Sequence, residues 1–80
     1  MRAKVEVFLK PGVLDVQGKA VENALHGLGW AGAANVRVGR VITFDLAAAN
    51  AADGRVEAEA MCDRLLANPV IESWTVEVTA

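Results

Sequence analysis

Few side chains in this sequence have the type and spacing that chemistry needs. Gly27-Leu28-Gly29-Trp30-Ala31-Gly32 matches the G-x-G-x-x-G pattern of dinucleotide-binding loops. That pattern works when a strand precedes it and a helix N-terminus follows, so that backbone N–H groups and the helix dipole meet a pyrophosphate. Here a helical pattern precedes and a strand pattern follows, so the dipole points the wrong way. The segment reads instead as a glycine-terminated helix and a loop, with Trp30 packed at the core edge. Cys62 is the single thiol. It falls on the inward arc of a second helical pattern, where burial raises a thiol pKa and makes it inert. His26 is the single imidazole, and Glu22 stands four residues before it. Two ligands are too few for a structural zinc, and a weak surface pair is expected. The ten carboxylates include none set among apolar residues in a way that raises its pKa. Glu57, Glu59, Asp63 and Arg64 read as a solvated helix face. No catalytic, cofactor-binding or metal-ligating residue is assigned.

The elements that would position these groups follow from periodicity. Val5, Val7 and Leu9 alternate with Lys4, Glu6 and Lys10, which reads as a strand with one buried face. Phe8 is an aromatic on its polar side, and Pro11-Gly12 ends it. Asp15 is the expected N-cap of a helix running to about Leu28. At 100° per residue, Val16, Ala20, Val21, Ala24, Leu25 and Leu28 share one half of that helix. Val36 and Val38, then Ile42, Phe44 and Leu46, alternate with polar residues and predict two strands, Asn35 to Arg40 and Val41 to Leu46. Gly39-Arg40 is the expected hairpin turn. Ala47 to Gly54 reads as a loop. A second helix is expected from about Asp53 to Ala67, with Ala58, Met61, Cys62, Leu65 and Leu66 inward and Asn68-Pro69 as its stop. Trp74, Val76 and Val78 form a last strand.

The resulting order, β-α-β-β-α-β, is the ferredoxin-like split βαβ pattern of an α+β protein. It predicts a four-stranded antiparallel sheet with both helices on one face. The other face would carry Glu6, Phe8, Arg37, Val41, Thr43, Ser73, Thr75 and Glu77. Phe8 and Val41 among charges suit a protein interface.

Eighty residues allow one domain, 1–80. The chain is 54% apolar, but fifteen of those residues are alanine, so the core is thin. One cysteine excludes an internal disulfide, which makes self-association or a larger partner the expected route to stability. A net charge of −2 excludes nucleic-acid binding through a basic footprint. No apolar run approaches the ~20 residues of a membrane helix. The N-terminus lacks a signal-peptide core, so a cytoplasmic protein is expected. Two loops carry apolar residues without an evident core role: Lys10-Pro11-Gly12-Val13-Leu14-Asp15 and Asn68-Pro69-Val70-Ile71-Glu72. Val13 and Leu14 serve either as a staple at the helix start or as contacts with another chain.

These same stretches resemble a known family. Val5-Glu6-Val7 and Leu9-Lys10-Pro11-Gly12-Val13-Leu14-Asp15 are followed by Gln17-Gly18-Lys19-Ala20-Val21 and Val36-Arg37-Val38-Gly39-Arg40. Met61-Cys62-Asp63-Arg64-Leu65-Leu66-Ala67-Asn68-Pro69-Val70-Ile71-Glu72 and Val76-Glu77-Val78 complete the set. In this order they resemble the PurS subunits of bacterial phosphoribosylformylglycinamidine synthase over nearly the whole chain. Val16 stands where the family usually has proline, and Arg40 where lysine is common.

The resemblance implies a non-catalytic subunit of a glutamine-dependent C–N ligase in purine biosynthesis. The complex converts formylglycinamide ribonucleotide, ATP and glutamine to formylglycinamidine ribonucleotide. A glutaminase subunit releases ammonia, and a large synthetase subunit uses ATP and Mg; this chain would hold no cofactor. Two copies would pair as a homodimer, or a tetramer when alone, and bridge the other two subunits. Candidate contacts are Phe8, Arg37 and Val41 on the open sheet face, Lys10, Val13, Leu14 and Asp15 in the first loop, and Asn68, Pro69 and Glu72 in the second. A rival is a small-molecule-binding regulatory domain on a similar scaffold, with a site beside Gly12. A second rival, an acylphosphatase-like enzyme, rests on Val16-Gln17-Gly18, but that loop lacks the arginine such an enzyme needs.

Overall fold

The computed structural model describes residues 1–79. Alternation does what it predicts in the first strand: in β1 (Arg2–Leu9) Ala3, Val5 and Val7 are buried while Arg2, Lys4 and Phe8 face out. β1 is the centre of an antiparallel sheet of order β2-β1-β3, with β2 spanning Arg40–Asp45 and β3 Glu72–Thr79. The registers stack apolar rows across the three strands. Phe44, Ala3 and Val78 form one row, and Ile42, Val5 and Val76 the next. Cross-strand rows of this kind are the unit of sheet stability.

Two helices are present, as expected. α1 (Val16–Gly27) begins at Asp15, whose carboxylate accepts from the Gly18 N–H at 2.7 Å. α2 (Ala51–Met61) starts earlier than Asp53, because Asn50 is the cap and accepts from the Asp53 N–H at 2.9 Å. α2 runs on into one π-helical turn, Cys62–Leu66, closed by the Ala67 N–H on the Cys62 carbonyl. Gly54, Ala58 and Cys62 form the buried stripe of α2, and the core is Val5, Val7, Ala58, Cys62, Ala67 and Val76. Met61 and Leu65, expected inward, lie outward at 36% and 81% exposure. The wider i→i+5 turn advances by a smaller angle per residue, which swings Leu66 to the core and Leu65 away from it.

Among the described residues the sheet has three strands rather than the expected four. Asn35 sits at a left-handed φ of +55°, and Val36 to Val38 after it pairs with no strand. Its backbone donors go to carboxylates of α1. Val36 N–H donates to Glu22 Oε1 at 3.2 Å, and Val38 N–H to Asp15 Oδ2 at 2.9 Å. His26 Nε2 lies 2.6 Å from the Ala33 carbonyl. The segment is thus a strap running back along α1, and Gly39-Arg40 continues it into β2 rather than turning a hairpin. Glu22 is therefore engaged by Lys19 and the strap, not by His26.

α1 does not cover the sheet. Gly18 is its one buried residue, and Val16 and Leu28 are 68% and 72% exposed. Trp30 beyond it is also exposed rather than set against the core. α1 and the strap form an arm, and the molecule measures 50 × 25 × 14 Å. Its radius of gyration, 15.8 Å, exceeds the roughly 12 Å of a compact 80-residue chain.

Candidate subunit interface

The two apolar loops singled out in the sequence meet at one end of the sheet. β1 and β3 are antiparallel, so the chain leaves β1 beside the point where it enters β3. Lys10 ties the two loops: its backbone N–H donates to the Ile71 carbonyl at 2.8 Å, and its ammonium to the Pro69 carbonyl at 2.7 Å. Gly12 sits at φ +90°, a left-handed position that favours glycine, so the first loop turns within a few residues. Leu14 and Val70 stand out from the paired loops at 74% and 79% exposure, with Val13 half-buried. Asn68 Oδ1 accepts from the Val70 N–H at 3.0 Å, an Asx turn that shapes the second loop behind Pro69.

A clamp fixes this end of the molecule. Arg40 donates to both oxygens of Glu72 at 2.7 and 3.1 Å and to the Leu66 carbonyl at 2.6 Å. Glu72 also accepts from the Asn68 N–H at 2.7 Å. The hydrogen bonds from Arg40 and then Asn68 hold the Glu72 carboxyl below the usual range, and Glu72 raises the Arg40 guanidinium. A planar fork reading a carboxylate at both oxygens suits arginine rather than lysine. Sequence reasoning placed Glu72 in a contact loop but missed Arg40 as its partner, because the two are distant in the chain and meet only across β1.

Asp15 behaves as a joint rather than a contact. It is buried, accepts from Gly18 and Val38, and lies 3.6 Å from Arg37 Nε. The Gly18 and Val38 hydrogen bonds lower its pKa. Arg37 is not on the sheet face: it donates to the Leu9 carbonyl at 2.7 Å, at the root of the arm. Phe8 and Val41 are on the open face as expected, 41% and 58% exposed, beside the pairs Arg2–Asp45 and Lys4–Glu6. Between the arm root and the clamp is a cleft of about 400 Å³ with Val7, Leu9 and Val38 in its wall and Leu14 and Val16 at its rim.

The loop Gly27–Gly32 follows the C-terminus of α1, where Gly29 adopts φ +106°. A helix C-terminus presents carbonyl oxygens and repels a phosphate. Cys62 is buried, and burial, then Glu59, pushes its thiol pKa up. Trp74 is half-buried against the core, with its indole N–H on Glu59 at 2.8 Å. Among the described residues no helix is long and apolar enough to cross a membrane.

Comparison with known proteins agrees with this architecture. The family profile described as PurS: Phosphoribosylformylglycinamidine (FGAM) synthase matches residues 2–80. The chain is 43% identical over 77 residues to the phosphoribosylformylglycinamidine synthase subunit PurS of Synechocystis, covering 96% of this chain and 77% of that protein. The corresponding Bacillus subtilis subunit is 40% identical, over 96% and 90%. A crystal structure of Bacillus subtilis PurS superposes with a TM-score of 0.87 at 39% identity, covering 99% of this chain and 98% of that one. PurS of Methanocaldococcus jannaschii, described as one of the subunits of formylglycinamide ribonucleotide amidotransferase in the purine biosynthetic pathway, gives 0.87 at 35%, over 98% and 94%. The likeness covers nearly the whole of both chains, and this chain belongs to the PurS family of phosphoribosylformylglycinamidine synthase subunits in purine biosynthesis.

Proposed function

We propose that this chain acts in the cytoplasm as the small, non-catalytic subunit that bridges the glutaminase and the ATP-dependent synthetase of the complex. It binds no cofactor of its own; ATP and Mg belong to the synthetase. Working as a homodimer, it presents the paired loops, Lys10 to Leu14 and Asn68 to Ile71, to the larger subunits. The reading is carried by one observation: Lys10 gathers the apolar residues of both loops at one end of the sheet, where Leu14 and Val70 have no packing role within the chain. Ammonia released into water is protonated and diluted. A bridge that holds donor and acceptor sites together raises its effective concentration at the second site.

The test is Leu14→Asp and Val70→Asp, each added to purified glutaminase and synthetase. Both positions are exposed, so far-UV circular dichroism and melting temperature stay as in the wild type. Complex formation weakens by roughly tenfold or more, as for an apolar anchor replaced by a charge. Glutamine-dependent activity falls with it, while activity with added ammonia, which bypasses the bridge, is retained by the synthetase. Folded variants that support full glutamine-dependent activity would show that these loops are not the interface.

A further inference from the structure

Each of the paired loops is closed at its base by one arginine, and both arginines stand where the strap enters β2. Arg37 closes the first loop. Val7 opposite Arg40 is the last pair of the β1–β2 ladder, so the Leu9 carbonyl lies past its end. Arg37 donates to that carbonyl at 2.7 Å, and its Nε stands 3.6 Å from Asp15 Oδ2, which also accepts from Val38. Leu9 and Asp15 are the residues on either side of Lys10 to Leu14. Arg40 closes the second loop. It donates to the Leu66 carbonyl at 2.6 Å and to both oxygens of Glu72 at 2.7 and 3.1 Å. Leu66 ends the π-helical turn, where carbonyls lack partners within the helix, and Glu72 opens β3. Leu66 and Glu72 are the residues on either side of Ala67 to Ile71.

The bonds inside the loops do a different job. The Val13 N–H donates to the Lys10 carbonyl at 3.1 Å, and the Ile71 N–H to the Asn68 carbonyl at 3.2 Å. These turn each loop locally. Lys10 joins the loops to each other. Neither set fixes the angle of the loops to the sheet, which the two arginines do. Their donors are directed at carbonyls and carboxylates of this chain, and the carboxylates they meet are nearly covered, at 8% and 13% exposure. Bonds between charged partners of this kind are the strong ones.

We propose that Arg37 and Arg40 are positioning residues for docking: each holds the two ends of one loop together, so that Leu14 and Val70 meet the larger subunits as one preformed surface. The proposal deepens the preceding reading and rests on it. A loop that is loose when free loses conformational entropy on binding. A surface formed only part of the time binds with its affinity reduced by that fraction. The arginines order the loops before the partner arrives. Their work is divided: Arg37 governs the first loop and Arg40 the second, although both lie on one short segment.

Arg37→Met and Arg40→Met, made in the full chain, keep the apolar stem of the side chain and remove its donors. Amide hydrogen exchange of the free chain is the first readout. Arg37→Met speeds exchange at Val13 and leaves Ile71 as in the wild type, and Arg40→Met does the reverse. The second readout is titration of each variant into purified glutaminase and synthetase. The concentration giving half of the full glutamine-dependent activity rises by roughly fivefold or more, as for a surface formed about a fifth of the time. Activity at saturation matches the wild type, because the contacting side chains are still present.

A merely structural role gives a different result. It speeds exchange throughout the chain and leaves half-saturation unchanged per folded molecule, and that pattern would overturn the proposal. Arg40→Lys keeps a charge beside Glu72 without the planar fork. It should fall between wild type and Arg40→Met, and it carries the test if Arg40→Met does not fold. Two further outcomes separate the proposal from the reading beneath it. If Leu14→Asp and Val70→Asp weaken the complex while both arginine variants titrate as wild type, the positioning role alone is overturned. If Leu14→Asp and Val70→Asp leave activity whole, the interface reading falls and the positioning role falls with it.

Discussion

Gly39 is a position where geometry constrains the root of the arm tightly, and glycine-to-alanine changes read that constraint directly. A Cβ at Gly39 would meet the Val7 carbonyl oxygen at 2.4 Å and the Phe8 ring at 2.5 Å. The Phe8 ring is 41% exposed and can turn aside. The Val7 carbonyl cannot, because it belongs to the central strand. Relief must come from moving the arm root away from β1, which disturbs the strap bonds at Val38. Overpacking of this kind costs about 1–3 kcal/mol. For a chain of this size each kcal/mol lowers the melting temperature by about 4–8 °C, so Gly39→Ala should melt roughly 5–20 °C below wild type. Gly27 is the internal control. It is helical, has ordinary φ, and a Cβ there meets nothing within 4 Å. Gly27→Ala therefore gains helix propensity and should melt a few degrees higher, from about 0.5–1 kcal/mol at most. Thermal denaturation by circular dichroism at fixed protein concentration measures both. Equal melting temperatures for the two variants would refute the close approach of strap and sheet.

Three carboxylates also predict an acid response. Asp15, Glu22 and Glu72 are all held below their ordinary values by hydrogen bonds to their charged forms. Groups depressed in the folded state contribute stability that is complete above the unfolded value, near pH 4, and is lost as pH falls through the folded one. The melting temperature should be level from pH 7 to about 5 and fall below 4, and Asp15→Asn should lower the plateau and flatten the fall. A wild-type curve level to pH 3 would contradict the assignment. Cys62 should react with a thiol reagent only through unfolding, so its rate should rise with urea along with the unfolded fraction; prompt reaction in native buffer would place it at the surface.

The sequence announced its elements well and their assembly poorly. The strands carrying Val5 to Val7 and Trp74 to Val78 were legible because alternation reports one buried face, and Asp15 was legible because a cap acts locally. The four-stranded sheet was not. Val36-Arg37-Val38 has the period of a strand, but periodicity says nothing about what accepts its N–H groups. Asp15 and Glu22, seven residues apart on α1, outcompeted β2 for them. The apolar side of α1 was likewise readable as a face needing cover, without any sign that its own sheet would not supply it. Leu65 was misplaced because a π turn leaves no mark on spacing. Of the candidate contacts, the exposed loop residues stood where expected. Asp15 and Arg37 turned out to be internal joints, since both bond with residues more than twenty positions away.

The position of β1 between β2 and β3 bears on how the protein is made. β1 leaves the ribosome well before β3, so one of its two edges stays open until residues 72–79 arrive, and Arg2 pairs with Thr79. Until then Val5 and Val7 have no complete layer beneath which to hide. Contacts of such long sequence separation form slowly, so the nascent chain carries an apolar strand with a free edge while the residues between β1 and β3 are made. Lys4 and Glu6, alternating with those valines, keep that strand soluble and discourage pairing with another chain while it waits.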